Sequence, residues 1–249
     1  MNTTTNTAMN TPMNTKENID QAELAKFSKM ASHWWDLNGP CKPLHEINPI
    51  RLQFVKEQIN LYDKNLIDVG CGGGIFSESL AAAGAAVTGI DPNHDLITVA
   101  KLHLHESRHK VDYHKSKVEE FAKKHPQNFD VITCMELLEH VPDPEAIIQN
   151  CVELAKPGSL IFFSTINRNL ASYLKAIIGA EYVMKMLPPG THDYDKFIKP
   201  SELCNAARKY GLELKALGGF GYNPLKKSYF AMDDVSVNYM ACFQVPQNG

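Results

Sequence analysis

Two glutamates and a histidine stand close together near the middle of the chain, as Glu136, Glu139 and His140. If this segment turns helically, offsets of three and four residues bring the three side chains to one side. Two carboxylates and an imidazole are ligands for a divalent cation, and without a metal His140 or Glu136 is the leading general base. Two acids near a helix start and a histidine bonded to backbone would give the same pattern. All three interpretations remain open.

A glycine-rich loop at residues 70–74 follows an apolar run at residues 66–69. The run is typical of a buried parallel strand and residues 75–83 of the next helix, which together form half of a βαβ unit. Glycines allow the loop to turn sharply and approach a ligand closely. Counting from Gly70 and Gly72, the third glycine of the dinucleotide fingerprint G-x-G-x-x-G falls on Ile75. The loop therefore predicts a nucleotide-like cofactor that is not a dinucleotide.

Two aspartates narrow the identity of that cofactor. Asp68, just before the loop, would repel a pyrophosphate and attract a cationic ligand. Asp91 ends the next strand, about 20 residues further on, where an acid can accept hydrogen bonds from ribose hydroxyls. A ribose, a positive charge and no phosphate are features of S-adenosylmethionine (SAM).

The elements that position these residues alternate as strand and helix, which predicts an α/β fold with a Rossmann-like, doubly wound, mostly parallel sheet. Residues 129–134 form a strand whose carboxyl end carries Met135, so Met135 is expected to line the adenosine pocket. Residues 212–217 and 237–245 are expected to form an antiparallel edge. The four histidines at positions 103, 105, 109 and 114 share no helical face and are expected at the surface.

Two helices are predicted before the glycine loop. The first begins at Asp20, with Glu23 completing a capping box, and leads to Trp34 and Trp35, which either pack on the sheet or form a lid over an aromatic substrate. The second begins with Asn48 as its N-cap and Pro49 at its first position. Arg51 lies in its first turn, where a surface salt bridge is the usual role.

Composition and charge limit the classes of protein to which the chain can belong. The chain has 249 residues, 44% of them hydrophobic, which suits one domain over residues 19–249 after a disordered, Asn- and Thr-rich tail at residues 1–18. A net charge of -3 provides no strong electrostatic attraction for nucleic acid, so no nucleic-acid partner is expected. Six scattered cysteines without a zinc spacing predict a reduced, cytoplasmic protein.

Taken together, the glycine loop and Asp91 resemble the first motif of the class I SAM-dependent methyltransferases. Further stretches are similar to one branch of that family, the O-methyltransferases of ubiquinone biosynthesis: residues 48–52, 134–144, 163–169, 190–193 and 237–240. The resemblance covers roughly residues 19–245.

The resemblance implies a class I methyltransferase fold and transfer of a methyl group from SAM to a phenolic hydroxyl of a polyprenyl catechol or of demethylubiquinol. Arg51 would then reach the methionine carboxylate of SAM, because arginine makes that bidentate contact better than lysine. A magnesium ion at Glu136, Glu139 and His140 would lower the pKa of the hydroxyl that is attacked. Other ubiquinone-biosynthesis proteins are implied as partners.

An apolar helical insertion is predicted at about residues 169–190, too interrupted by charges to span a membrane. It either caps the substrate pocket or lies in a bilayer interface, since a polyprenyl substrate is dissolved in the membrane. We therefore expect peripheral contact with the inner face of the membrane. The loop that follows carries His192, a further candidate acid or base.

Two rival interpretations remain. A related enzyme could methylate a soluble small molecule on the same fold, although the apolar insertion argues against this. A SAM-binding scaffold without turnover is the other, and the acid-rich cluster beside the expected methyl group argues against it.

Overall fold

Eight strands form one mixed sheet in the computed structural model, which describes residues 17–169 and 194–247. The strand order is β3-β2-β1-β4-β5-β8-β6-β7, in which the first five strands are parallel and the last three are antiparallel to their neighbours. The strands are β1 (Asn65–Val69), β2 (Ala86–Asp91), β3 (Val111–Lys115), β4 (Phe129–Met135), β5 (Ala155–Ile166), β6 (Glu213–Asn223), β7 (Ser228–Met232) and β8 (Asn238–Gln244).

Helices cover both faces of the sheet. They are α1 (Gln21–Met30), α2 (Lys42–Gln58), α3 (Ile75–Ala82), α4 (His94–Ser107), α5 (Val118–Lys124), α6 (Pro144–Leu154) and α7 (Pro200–Lys209). Short 3-10 turns lie at Ala31–His33, Leu138–His140 and Tyr194–Lys196. The predicted order of strands and helices around the glycine loop is present.

The core has two layers because successive side chains of a buried strand point to opposite faces. On β1, Ile67 packs in the cluster that α5, α6 and α7 cover, whereas Leu66 packs in the cluster beneath α2 and α3. Strand β4 repeats the alternation with Ile132 and Val131. Burial on both sides fixes the register of the central strands, and with it the position of the residues at their carboxyl ends.

Helix α2 differs from the prediction at its start. It begins at Lys42, six residues before Asn48, and Pro49 lies inside it. Asn48 does not cap the helix, because its side chain donates to Ile75 O at 3.3 Å and to Ser79 Oγ at 2.7 Å. Proline is a common start signal for a helix, but here the stabilisation from packing α2 on α3 exceeds the cost of the one backbone hydrogen bond that an interior proline loses.

The antiparallel edge is confirmed for the pairing of β6 with β8, but β7 was not predicted. It pairs with β6 through a tight connection and becomes the outermost strand. Helix α6 ends at Leu154 and β5 follows without a gap, beginning at Ala155 and passing through Pro157 and Gly158.

Other predictions fall outside the described residues. The insertion at about 169–190 and most of the N-terminal tail are among them, and the single-domain prediction stays a prediction. The last two residues of the predicted tail are placed: Glu17 pairs with Lys117, and Asn18 exchanges two hydrogen bonds with the backbone of Asp143. Within 17–169 and 194–247, no helix has both the length and the apolar character needed to cross a bilayer.

Candidate functional site

A cavity of about 690 Å³ lies where the central parallel strands end. The glycine loop, Asp91 and Met135 form part of its wall, as expected for ligands bound at the carboxyl ends of parallel strands. Helix α1 forms a second part, and the paired strands β6 and β7 form a third with aromatic and apolar side chains. These are Phe220, Tyr222, Tyr229, Phe230 and Met232. One cavity therefore joins the predicted cofactor loop to a large apolar surface.

The conformation of the glycine loop is fixed by positive φ angles and by backbone hydrogen bonds. Gly70 has a φ of 72° and Gly74 a φ of 92°, in the left-handed region that favours glycine. The N–H groups of Gly70 and Cys71 both donate to the carbonyl of Ile90, at 2.9 and 3.0 Å. The first half of the loop is thereby tied to the end of β2, where Asp91 follows.

Asp91 is buried and its carboxylate is already engaged by backbone groups. Gly72 N donates to Oδ2 at 3.1 Å and Asn93 N donates to Oδ1 at 2.8 Å. Burial raises the pKa of Asp91 to about 6. The carboxylate faces the cavity with lone pairs left for a further donor, which fits the predicted contact with ribose hydroxyls.

Asp68 links three elements. Its carboxylate accepts from Ser77 Oγ on α3 at 2.6 Å and from Thr133 Oγ1 on β4 at 2.7 Å. Burial raises its pKa to about 6, against the opposing effect of these two hydrogen bonds and of the Arg51 charge. The two hydrogen bonds tie the end of β1 to α3 and β4 and so hold the loop in place. Because Asp68 also lines the cavity, its carboxylate lies where a negative charge was predicted.

Arg51 is buried in the cavity wall rather than exposed, which excludes a surface salt bridge. Its Nη2 lies 3.4 Å from Glu136 Oε1, and neither Nε nor Nη2 has a hydrogen-bond acceptor among the described residues. Buried donors without an acceptor are costly. They fit a ligand that brings a carboxylate into the cavity, as the predicted contact with SAM requires.

Glu136, Glu139 and His140 all line the cavity, but each has its own partner. Glu136 Oε1 accepts from Ser164 Oγ at 2.7 Å, Glu139 Oε2 accepts from Thr165 Oγ1 at 2.8 Å, and His140 Nδ1 lies 2.9 Å from Glu23 Oε2. Over the described ranges, no three His, Cys, Asp or Glu side chains are grouped so as to hold a metal. The metal site predicted at these three residues stays a prediction.

Glu139 nevertheless shows that two acids lie near one another. It is buried, and both burial and the charge of Glu136 raise its pKa to about 7. Glu136 itself has a φ of 53°, which is unusual for a residue with a side chain and directs the chain sharply after β4. The segment after β4 is therefore a strained turn, and the buried carboxyl of Glu139 in it has a pKa close to neutral pH.

Sequence reasoning missed the partner of His140. Glu23 was singled out only for capping, yet its carboxylate contacts His140, and this contact lowers the pKa of Glu23. Because an ionised carboxylate can only accept, Nδ1 of His140 is the donor, and in the neutral imidazole Nε2 then carries the lone pair. Phe27 packs edge-on against the imidazole at a centroid distance of 5.1 Å.

The N-terminal segment covers the glycine loop, and the predicted lid over an aromatic substrate stays a prediction. A Cβ added to Gly73 would lie 2.3 Å from Trp34 Cδ1, so the indole rests directly on the loop backbone. Trp34 lines the cavity, and its buried Nε1 has no acceptor among the residues described. Trp35 Nε1 donates to Gly73 O at 2.9 Å. Together Trp34 and Trp35 fix this segment above the loop.

His103 has partners that sequence reasoning missed. It is half-buried at the surface, where it stacks on Trp35 at 3.4 Å and contacts both carboxylate oxygens of the buried Glu78. Asn93 was also missed: its side chain caps α4 and donates to Leu24 O on α1 at 3.0 Å. His192 lies outside the described residues.

A family model for a methyltransferase domain matches residues 44–217. Among solved structures, magnesium protoporphyrin IX methyltransferase from Synechocystis with bound SAH is similar with a TM-score of 0.63 and 16% identity, over 89% of this chain and 99% of that one. A SAM-dependent methyltransferase from Thermotoga maritima, a possible histamine N-methyltransferase, has a TM-score of 0.62 and 15% identity, over 91% and 100% of the two chains. The fold is that of the SAM-dependent methyltransferases.

Curated relatives define the family more narrowly. The ubiquinone biosynthesis O-methyltransferase of Saccharophagus degradans is 57% identical over 224 residues, which cover 90% of this chain and 95% of that protein. The protein of the same name from Nitrosomonas europaea is 57% identical over 228 residues, with 91% and 97% covered. The chain belongs to the ubiquinone biosynthesis O-methyltransferase family.

These comparisons confirm the predicted fold class, the predicted O-methyltransferase class and SAM as its cofactor. The roles of individual residues stay predictions, including Arg51, Asp68, Asp91 and Met135 for the cofactor. The glycines at 70 and 72 have the conformation that the prediction required.

Proposed function

We propose that this enzyme transfers a methyl group from SAM to a phenolic hydroxyl of a polyprenyl catechol or of demethylubiquinol in ubiquinone biosynthesis. The observation that carries the proposal is the single cavity whose wall includes the glycine loop, Asp91 and Arg51 on one part and the aromatic surface of β6 and β7 on another. The first part suits a charged nucleoside and the second an apolar ring with a prenyl chain. The names of the curated relatives agree with this substrate class.

The cofactor's place follows from the groups in the wall. Asp91 would accept from the ribose hydroxyls, Arg51 would bind the methionine carboxylate, and Met135 would contact the adenosine. Asp68, with Gly70 and the rest of the loop, would favour the positive charge. When bound, SAM supplies a methyl group that is already activated by its sulfonium, so the protein's main tasks are to position the phenol and exclude water.

His140 is the proposed general base. With Nδ1 bonded to Glu23, the free Nε2 can accept the proton of the phenol, and the carboxylate stabilises the imidazolium that forms. Glu136 is the alternative acceptor, but its Oε1 is occupied by Ser164 and lies near the charge of Arg51. The partner contacts therefore favour His140.

Binding of magnesium is a separate proposal, supported only by the resemblance to the methyltransferase family. A bound cation would use Nε2 of His140 and the carboxylate oxygens of Glu136 and Glu139, while Glu23 holds Nδ1 of His140 and Ser164 and Thr165 each donate to one carboxylate. No step above depends on it. Activity that EDTA abolishes and magnesium restores would support the site, and activity that EDTA leaves unchanged would leave His140 as the proposed base.

Peripheral contact with the inner face of the membrane belongs to the same proposal, because a polyprenyl acceptor is dissolved in the bilayer. The insertion at about 169–190 is one proposed contact, in a cytoplasmic protein that also meets other ubiquinone-biosynthesis proteins. Failure to bind liposomes under conditions where activity is normal would contradict it.

The proposal is tested with labelled SAM and a short-chain prenyl catechol. We expect label in the catechol with the wild-type protein. His140→Ala should lower kcat by about a hundredfold or more, the usual contribution of a general base, and Glu23→Gln should lower it less. His105→Ala, at an exposed histidine on α4, is the matched control and should leave kcat unchanged. Bound SAM without labelled product would contradict the function, and a fully active His140→Ala would contradict the base.

A further inference from the structure

Glu78 is a buried carboxylate for which the proposed mechanism has no use. It is 4% exposed, lies in the first turn of α3 directly after the cofactor loop, and does not line the cavity. Nδ1 of His103 on α4 lies 2.9 and 3.0 Å from its two oxygens. A buried carboxylate is costly unless it is paired, so this contact holds the imidazole of His103 in one place.

The imidazole of His103 in turn lies flat on the indole of Trp35. The two ring centroids are 3.4 Å apart and the ring planes differ by 4°. His45 on α2 contacts the same indole at a centroid distance of 5.5 Å and an angle of 60°, and its Nε2 lies 2.9 Å from Trp34 O. The orientation of the indole is therefore set by two imidazoles that do not line the cavity.

The N–H group of that indole binds the backbone of the cofactor loop. Trp35 Nε1 donates to Gly73 O at 2.9 Å, and the next N–H along the chain, that of Gly74, donates to Cys71 O at 3.0 Å. Both ends of the peptide group between the two glycines are thereby fixed. Because a glycine loop approaches its ligand through the backbone, the orientation of this peptide group affects how closely the loop meets SAM.

We propose that Trp35 and His103 are positioning residues for SAM. His103, anchored on Glu78, holds the indole of Trp35, and the indole holds the Gly73 carbonyl and the second half of the cofactor loop in the conformation that binds SAM. None of these three side chains lines the cavity, so they act on the cofactor through the loop and not by contact. The inference goes beyond the proposed function, because it depends on SAM as the cofactor and on no particular acceptor.

Calorimetric titration with SAM measures the effect of each residue. Trp35→Phe keeps a ring next to the loop but removes the donor, and it should weaken SAM binding by about threefold to tenfold, the usual contribution of one hydrogen bond. His103→Gln keeps a donor for Glu78 but removes the ring from the indole, and it should weaken binding by a similar factor. His105→Gln, at an exposed histidine of the same helix, is the matched control and should bind SAM like the wild type.

The double variant tests whether His103 acts through Trp35. Once Trp35→Phe has removed the hydrogen bond to Gly73, His103→Gln should cause no further loss of SAM affinity. In turnover assays the loss should appear in the KM for SAM rather than in kcat. Equal affinity of Trp35→Phe and the wild type, or additive losses in the double variant, would overturn the proposal. So would variants that only unfold at a lower temperature and bind SAM normally when folded.

Fluorescence quenching tests the contact between the two rings directly. The chain has two tryptophans, so Trp34→Phe leaves the indole of Trp35 as the only one. In that background His103→Gln should make the indole more accessible to acrylamide, whereas His105→Gln should not. Unchanged quenching in His103→Gln would overturn the role of His103. Both measurements need SAM binding or the protein alone, so their outcome is distinct from a failure to methylate the catechol.

Discussion

Arg51 places a guanidinium group inside the protein with two nitrogen atoms that no described residue accepts from. Removing a charge from water costs several kcal/mol, and the nearby Glu136 compensates only in part at 3.4 Å. Such a group is stabilised by a ligand that completes its hydrogen bonds. The residue therefore links the stability of the site to the presence of a carboxylate ligand.

Arg51→Lys should weaken SAM binding by about tenfold to a hundredfold, since a hydrogen bond to a charged group contributes about 1.5–3 kcal/mol. Lysine keeps the charge but loses the fork that contacts both carboxylate oxygens. Calorimetric titration with SAM measures the change, and Arg208→Lys on the exposed face of α7 is the control. An unchanged dissociation constant for Arg51→Lys would show that the carboxylate is bound elsewhere.

The pH dependence of SAM binding follows from Asp91 and Asp68. Burial raises the pKa of each to about 6, so both carboxyls gain protons as the pH falls through 6. The ionised forms are the ones that accept from ribose and attract a cation. SAM affinity should therefore fall as the pH is lowered from about 7.5 to about 5, and binding near pH 6 should release protons.

Calorimetry in buffers of different ionisation enthalpy measures that release. Asp91→Asn should reduce both the proton release and the slope of affinity against pH. A dissociation constant that is constant over this range in the wild type would mean that neither carboxyl changes its protonation on binding.

At the scale of elements, α1 and the turn after it close over the cofactor loop through polar contacts and a small apolar cluster, in which Phe27 and Trp34 pack with Ile75 and Leu96. No residue of α1 is fully buried. Asp20 contacts Lys196 at 2.9 Å, Asn93 donates to Leu24 O, and Trp34 covers Gly72 and Gly73. Because the side chains of α1 are only partly buried and its apolar cluster is much smaller than the core on either face of the sheet, this segment is expected to open more readily than the core. We interpret it as the lid of the cofactor site.

Gly73→Ala tests that interpretation. Gly73 does not have a positive φ, so the added Cβ acts only through its 2.3 Å approach to Trp34 and must displace the indole. SAM affinity should fall by about tenfold, comparable to the loss of one buried aromatic contact. In the double variant with Trp34→Ala, Gly73→Ala should have no further effect. Additive losses would show that the glycine itself, and not the ring above it, matters for binding.

The elements could be predicted where local signals and packing agree. The apolar run of β1, the glycine turn and the acid at the end of β2 lie within about 25 residues, so spacing alone indicated their arrangement. The predicted start of α2 was wrong because Asn48 and Pro49 form a start signal that packing on α3 overrides. Strand β7 was missed because it is only five residues long and none of its side chains is fully buried.

Pairings between distant parts of the chain could not be predicted. Glu23 and His140 are 117 positions apart, and His103 meets Glu78 across 25. No local pattern encodes such contacts, which arise only when α1 and α4 pack at the ends of the strands. The spacing of Glu136, Glu139 and His140 suits a helix, whereas the chain forms a strained turn there and each side chain has a separate partner; the metal site itself stays a prediction.

At the scale of the whole molecule, one sheet brings two kinds of surface into a single cavity. The carboxyl ends of β1, β2 and β4 supply charge and glycine backbone, and the antiparallel edge supplies aromatic area. A small polar acceptor would need the first surface only. The combination is what favours a prenylated phenol over a soluble substrate or a scaffold without turnover.

The most direct test of this account is the fate of a ¹³C-labelled methyl group of SAM incubated with a short-chain prenyl catechol and the wild-type protein. We expect a new methoxy carbon on the phenolic ring, seen by NMR, and its formation should slow strongly in His140→Ala. A methyl group on carbon or nitrogen, or SAM that binds without transferring its methyl group to the catechol, would contradict it.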